Sequence, residues 1–152
     1  MDELFTPGFP GLRVRLALVR EGKPRRKPKA IRTPKDAFRL IRRIGKEDRE
    51  HFVVILLNAR HVPLGVHVVS IGTLTASLVH PREVFKPAVI ANAAAVILGH
   101  NHPSGDLTPS ADDLALTHRL CQVGELLQIE VLDHLIVSGS TFVSLKEQGQ
   151  FG

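Results

Sequence analysis

His100 and His102 stand two residues apart at the end of an apolar run, residues 94–99, and Ser110, Asp112 and Asp113 follow the turn-rich stretch 103–109. In an extended chain, residues two apart point to the same side. The two imidazoles therefore converge on one point just beyond the C-terminal end of a strand, the usual rim for sites in open α/β sheets. Neutral imidazole is a good zinc ligand, and catalytic zinc takes three protein ligands and leaves a fourth position for water. Asp113 can supply the third ligand. It lies in the first turn of a helix, three residues before Leu116 and so close to the helix's inward stripe. An inward carboxylate there is costly unless something pairs with it, and a metal ion would do so.

Each part has a plainer reading. A His-x-His pair alone occurs by chance in cores and on surfaces. Ser110 and Asp113 also match a helix capping box, Ser-x-x-Asp. Asp112 competes with Asp113 as the ligand. The combination argues for a metal: strand end, paired histidines, a tight loop, then an inward acid at a helix start.

The elements that must position these residues follow from periodicity. Residues 12–18 alternate apolar and polar and predict a half-exposed strand; residues 21–29 predict a basic loop. Thr33-Pro34 starts a helix with Ala37, Leu40, Ile41 and Ile44 on one face and Gly45 as its stop. Residues 52–57 predict a buried strand, entered from Glu50, and residues 62–71 its partner. The connection through Gly72 to Ser77 has no assigned type. A second helix runs from His80 to about Ala91, a buried strand over 94–99, and a third helix over 110–127 with Leu116, Leu120, Val123 and Leu127 inward. Residues 129–137 and 141–145 form a hairpin around Ser138-Gly139-Ser140. The order is β-α-β-β-α-β-α-β-β, a mixed β-sheet flanked by helices in a single α/β domain.

Composition bounds what this domain can be. The chain has 152 residues, 43% apolar and 23% charged, enough for one core and far from disordered composition. The net charge of +5 is uneven: residues 1–50 hold 15 Lys/Arg against 7 Asp/Glu, and the remainder holds 5 against 8. No apolar run approaches a bilayer span, and the acidic start Met1 to Phe5 has no secretory h-region, so no membrane association and a cytoplasmic location are expected. Cys121 is the one cysteine, which excludes an intrachain disulfide and a cysteine metal cluster. The length excludes an amidohydrolase barrel of about 250 residues; the absence of His-Glu-x-x-His excludes a zincin, and the lack of paired cysteines a zinc deaminase.

His100-x-His102, seven residues, Ser110, two residues, Asp113 resembles the H-x-H-x7-S-x2-D signature of the JAMM metalloproteases of the JAB/MPN (cytidine-deaminase-like) fold. The string His100 to Asp106, with Gly72-Thr73-Leu74, residues 80–85 and residues 133–137, is similar to the RadC-like branch in particular. The resemblance runs from about Ile31 to the C-terminus, so residues 1–30 are expected to form an N-terminal strand and basic loop ahead of a RadC-like domain over 31–152. Many RadC proteins carry a helix-hairpin-helix region before this domain; the chain has no room for it and is expected to be the short, single-domain form.

The resemblance implies that His100, His102 and Asp113 hold a zinc ion, with water as the fourth ligand. It implies that Glu50, on the strand after the first helix, is the general base and that Ser110 steadies the oxyanion of a peptide or isopeptide hydrolysis. Glu83 is the rival base, although its setting matches an acidic first turn of a helix. His51, His61, His67 and His118 have no partner at metal-ligand spacing. Asp133 and His134 have no derivable catalytic role, and structural hydrogen bonding is their default reading. The substrate is a peptide or protein of unknown identity.

The alternative is a DNA-associated, repair-linked module whose basic N-terminal third, residues 13–43, binds nucleic acid weakly and without sequence preference. The aromatics, 5% and all Phe, leave few stacking platforms for it. A docking platform that has lost activity is a third reading, opposed by the complete His100, His102, Ser110 and Asp113 set. Oligomeric state is open.

Overall fold

A computed structural model describes residues 14–24, 26–72 and 79–151 of the chain. Among the described residues five strands form one mixed sheet: β1 (His51–Leu57), β2 (Pro63–Ile71), β3 (Ala95–Asn101), β4 (Glu130–Ser138) and β5 (Thr141–Ser144), in the order β2-β1-β3-β4-β5. β1 pairs antiparallel with β2 and β3, and β4 pairs antiparallel with β5. β3 and β4 are parallel, so the chain must cross over between them, and α3 (Ala111–Leu127) is that crossover.

The strands that bury both faces explain the continuous apolar runs. Val53, Ile55, Leu57, Ile97, Leu135 and Val137 pack on one face with Ala37 and Ile41 of α1 (Pro34–Ile41). Phe52, Val54, Leu56, Val96, Leu98 and Val131 pack on the other, with Val84 and Phe85 of α2 (Pro81–Ile90) and with Leu116 and Leu120 of α3. Strand alternation thus assigns His100, in phase with Val96 and Leu98, to the α3 side and sends Asn101 to the α1 side.

α1 begins as its sequence predicts, with Thr33 and Asp36 forming a reciprocal capping box and Pro34 in the first turn. It does not run to Gly45. It tightens at Arg42 into a 3-10 turn, Arg42–Lys46, whose Gly45 carbonyl accepts the Gly139 N–H of the β4–β5 turn at 2.8 Å. A side chain at residue 45 would collide with that turn.

Three expectations need correction. The strand over 12–18 is not formed in its described part: residues 14–20 have no regular structure, and Val14 and Leu16 are 82% and 76% exposed. Alternation marks a segment that could pair, but a strand needs a neighbour to satisfy its backbone, and among the described residues β2 is the outer strand of the sheet. Leu40 is exposed rather than part of the α1 contact face, because the contact runs through Ala37 and Ile41. Leu127 is also exposed; the inward face of α3 continues instead through Gly124, where an added Cβ would lie 2.6 Å from the Ile129 carbonyl. Residues 1–13, Arg25 and the Thr73–Ser77 part of the β2–α2 connection lie outside the described residues. No helix among the described residues is long and apolar enough to cross a membrane.

Candidate metal centre

β3 carries His100 to the rim of the sheet, and the chain leaves the strand with His102 on the same side. The step is held by the His102 N–H donating to the Val137 carbonyl of β4 at 2.9 Å. The loop then turns back, with Gly105 at a positive φ of 89° and Thr108 N–H donating to Asp106 Oδ1 at 2.9 Å, and delivers the start of α3 over the strand end. The nitrogens meet as the two-residue spacing predicts: His100 Nε2 and His102 Nε2 are 2.9 Å apart. Asp113 Oδ1 lies 3.2 Å from His100 Nε2, and Asp113 Oδ2 lies 3.4 Å from His102 Nε2. One ligand atom from each residue falls within 4.8 Å of the others.

The capping reading and the metal reading of Asp113 hold together. Ser110 Oγ accepts the Asp113 N–H at 3.1 Å, and Asp113 Oδ2 accepts the Ser110 N–H at 2.8 Å. The same carboxylate, only 14% exposed, still faces both imidazoles. The cap fixes the rotamer and leaves the carboxylate's other lone pairs facing the histidines. Asp112 lies on the exposed side of the helix start and is not part of the cluster.

The donor set fits a divalent cation. The second ring nitrogen of His102, Nδ1, is 2.6 Å from the Asp106 carbonyl, an acceptor only, so Nδ1 carries the proton and Nε2 presents a lone pair. Burial opposes ionisation of Asp113, but the contacts of its carboxylate with His100 and His102, together with the Ser110 N–H, outweigh it and hold the carboxyl far below its usual range. A second proton, at His102 Nε2, would face Asp113: that hydrogen bond raises the proton affinity of His102 against the opposing effect of burial, and the negative charges of Asp113 and Glu50 add to the rise. A buried, ionised carboxylate facing two imidazole nitrogens is a site that favours positive charge. Its imidazole and carboxylate donors suit zinc.

Glu50 sits half-buried at the entrance to β1, one residue before His51, with its carbonyl accepting the Gly72 N–H at 2.9 Å. Since Phe52 pairs with His100, the sheet register brings the Glu50 end of β1 to the rim that holds the candidate ligands. Glu83, the rival base, occupies the first turn of α2, where Lys86 Nζ, 3.0 Å away, lowers its carboxyl below the usual range. Beside the loop a groove of about 460 Å³ is lined by Asp106, Leu107, Thr108, Pro109, Val143, Gln148 and Gln150.

Three residues of this neighbourhood were not assigned to the site from the sequence. Asn101, fully buried between the two histidines in sequence, clamps the backbone around Glu50. His134 and Thr117 stand behind His100: His134 Nε2 is 2.8 Å from His100 Nδ1, and His134 Nδ1 is 2.6 Å from Thr117 Oγ1. Phe52 packs its ring against both His100 and His134. Asp133 points the other way and takes the structural role expected of it. It accepts from the His134 N–H, from Ser144 Oγ and from the Lys146 N–H at 2.7, 2.6 and 3.2 Å, and so ties β4 to β5 and the chain beyond. His118 is exposed on α3, and His67 is exposed on β2.

The profile of the RadC-like JAB domain matches residues 31–150. A UPF0758 protein of Rubrobacter xylanophilus is 50% identical over 137 residues, covering 89% of this chain and 58% of that protein. The UPF0758 protein BH3032 of Halalkalibacterium halodurans is 52% identical over 120 residues, 78% of this chain and 52% of its own length. One from Methanosarcina acetivorans is 46% identical over 127 residues, 83% of this chain and 54% of its own. The chain thus spans little more than half the length of the curated relatives it matches.

Proposed function

The chain belongs to the RadC-like JAB domain family, and on that footing we propose that it is a zinc-dependent hydrolase of amide bonds, peptide or isopeptide. The observation that carries this reading is the convergence of His100 Nε2, His102 Nε2 and the Asp113 carboxylate within 4.8 Å at the rim of a central strand. Bound there, zinc supplies the Lewis acidity that brings the pKa of a water to about 7. The protein's own groups do the rest. The Glu50 carboxylate takes the proton from the attacking water and returns it to the departing amine nitrogen. Ser110 Oγ accepts the Asp113 N–H and keeps its own proton to donate to the developing oxyanion. The groove beside Asp106 to Pro109 is a place for the substrate chain next to His102.

Metal analysis of the purified chain, followed by a screen of peptide and isopeptide substrates with Glu50→Gln as control, tests the reading. Stoichiometric zinc, with hydrolysis that Glu50→Gln abolishes while retaining the metal, supports it. A zinc-saturated preparation that retains no metal overturns it.

The second reading, a nucleic-acid module, has the exposed Lys23, Arg26, Lys27, Arg42 and Arg43 in its favour. Arg39 is committed to Asp36 at 2.9 Å and adds little. DNA titrations at two salt concentrations separate the readings, because phosphate binding weakens steeply with salt and absence of binding at low salt removes the module reading.

A further inference from the structure

A metal-binding histidine must present a lone pair, and a neutral imidazole can place its proton on either nitrogen. His102 solves this with a backbone carbonyl. His100 has no carbonyl at its Nδ1; it has another histidine. We propose that His134 is a positioning residue for the metal centre, acting with Thr117 to fix the one tautomer of His100 that leaves Nε2 free for the metal. The proposal rests on the metal reading of His100, His102 and Asp113 given above.

The direction of every proton in this chain of contacts follows from one fixed end. The Asp113 backbone carbonyl can only accept, and Thr117 Oγ1 lies 2.6 Å from it, so the threonine's single proton goes there. The same oxygen is 2.6 Å from His134 Nδ1. With its own proton committed, Thr117 Oγ1 must accept, and Nδ1 of His134 must carry the hydrogen. His134 is fully buried between the Thr117 hydroxyl and the His100 ring, 2.6 and 2.8 Å from its two nitrogens, and an imidazolium enclosed there is costly, so the ring is neutral. Its Nε2 therefore holds a lone pair. His100 Nδ1, 2.8 Å away, is left as the donor, and His100 Nε2 is left with its lone pair facing His102 and Asp113.

The relay starts at the main chain of Asp113, passes through Thr117 of α3 and His134 of β4, and ends at His100 of β3. The three elements that carry ligands or their supports are thereby joined by one hydrogen-bonded chain. His134 is not a fourth ligand, because its Nε2 is engaged by His100. As a neutral acceptor it orients the ligand without adding a second negative charge behind it. Partners of this kind are worth about 10- to 100-fold in metal affinity.

The test uses His134→Phe, which keeps a ring and removes the acceptor, and Thr117→Val, which is nearly isosteric and releases His134 to adopt either tautomer. His134→Gln is the rescue, since its side-chain carbonyl can accept from His100 Nδ1. Zinc affinity is measured by competition with a chelating indicator, and folding is checked by amide spectra. Nitrogen-15 spectra of the metal-free protein at alkaline pH, where imidazoles are neutral, read the tautomers. The expected result is an Nδ1–H tautomer at both His100 and His134 in the unaltered chain. Zinc affinity is expected to fall about 10- to 100-fold in His134→Phe and Thr117→Val and to be largely restored in His134→Gln. An Nε2–H tautomer at His100 in the unaltered chain overturns the proposal. So does unchanged zinc affinity in folded Thr117→Val. His100→Ala separates this failure from failure of the metal site itself: loss of zinc there with no effect in Thr117→Val sinks the relay alone, and zinc binding that survives His100→Ala sinks both.

Discussion

Asn101 Oδ1 accepts the backbone N–H of His51 at 2.6 Å, while the same side chain's nitrogen donates to the carbonyls of Arg49 at 3.0 Å and Glu47 at 3.4 Å. The residue between the two metal-facing histidines thus grips the main chain on both sides of Glu50. Strand alternation makes this possible. His100 and His102 point toward α3, Asn101 points to the opposite face, and one strand end holds the ligands and the proposed base in a common frame.

Asn101→Leu keeps the volume and removes the grip. It is expected to lower stability by about 1–3 kcal/mol through orphaned backbone groups. Zinc should bind as before, because neither imidazole loses a partner. Turnover should fall by up to about 100-fold, the scale of an angstrom-sized misplacement of a catalytic group. Steady-state kinetics on the zinc-loaded variant check this, and an unchanged kcat would show that Glu50 does not depend on the clamp.

Asp113→Asn separates the two roles of one side chain. The amide oxygen can still accept the Ser110 N–H, so the cap that starts α3 survives in large part and stability should fall by less than about 1 kcal/mol. The negative charge between the histidines is gone, and zinc should no longer bind stoichiometrically. Metal content and urea unfolding measured on one preparation give both answers. Retained stoichiometric zinc would reduce Asp113 to a cap.

The ligand spacing was legible because each step is local. Alternation brings His100 and His102 together, and the capping box fixes Asp113 in the first turn of α3. His134 was not legible as part of the site, because its role depends on pairing across the sheet. Parallel alignment of β4 with β3 sets His134 opposite Leu98 and behind His100, and nothing in residues 133–137 announces that register. Residues 14–18 illustrate the converse: a strand-like pattern states what a segment could bury, not that a neighbour exists. The α3 stripe failed at Leu127 for a third reason. A search for apolar side chains overlooks glycine, yet Gly124 is where α3 comes closest to the chain at Ile129.

Gly99 precedes His100 on β3, and its missing side chain is occupied by Ile41 of α1. A Cβ there would overlap Ile41 Cδ1 and lie 3.3 Å from Val53 Cγ2. Gly99→Ala is expected to cost about 1–3 kcal/mol by overpacking. Ile41→Val removes the offending Cδ1 and alone costs about 0.5–1.5 kcal/mol. Together they should cost less than the sum, and a double-mutant cycle in urea measures the difference. Strict additivity would mean that α1 does not bear on the strand at this point.

If the proposed zinc binds at this rim, removing it should loosen the rim. Without a cation, β3, the 103–109 loop and α3 lose the common partner of the donor atoms they bring together at this point. With free zinc at a hundred times its dissociation constant, the stabilisation is about 2.7 kcal/mol. For a domain of this size that is about 5–10 °C in Tm. A chelator should therefore lower the melting temperature by that amount, and added zinc should restore it. The specific control is His100→Ala, which should melt identically with and without chelator. Equal melting of the unaltered chain under both conditions, with chelation verified by metal analysis, would mean that whatever ion is present does not hold β3 to α3.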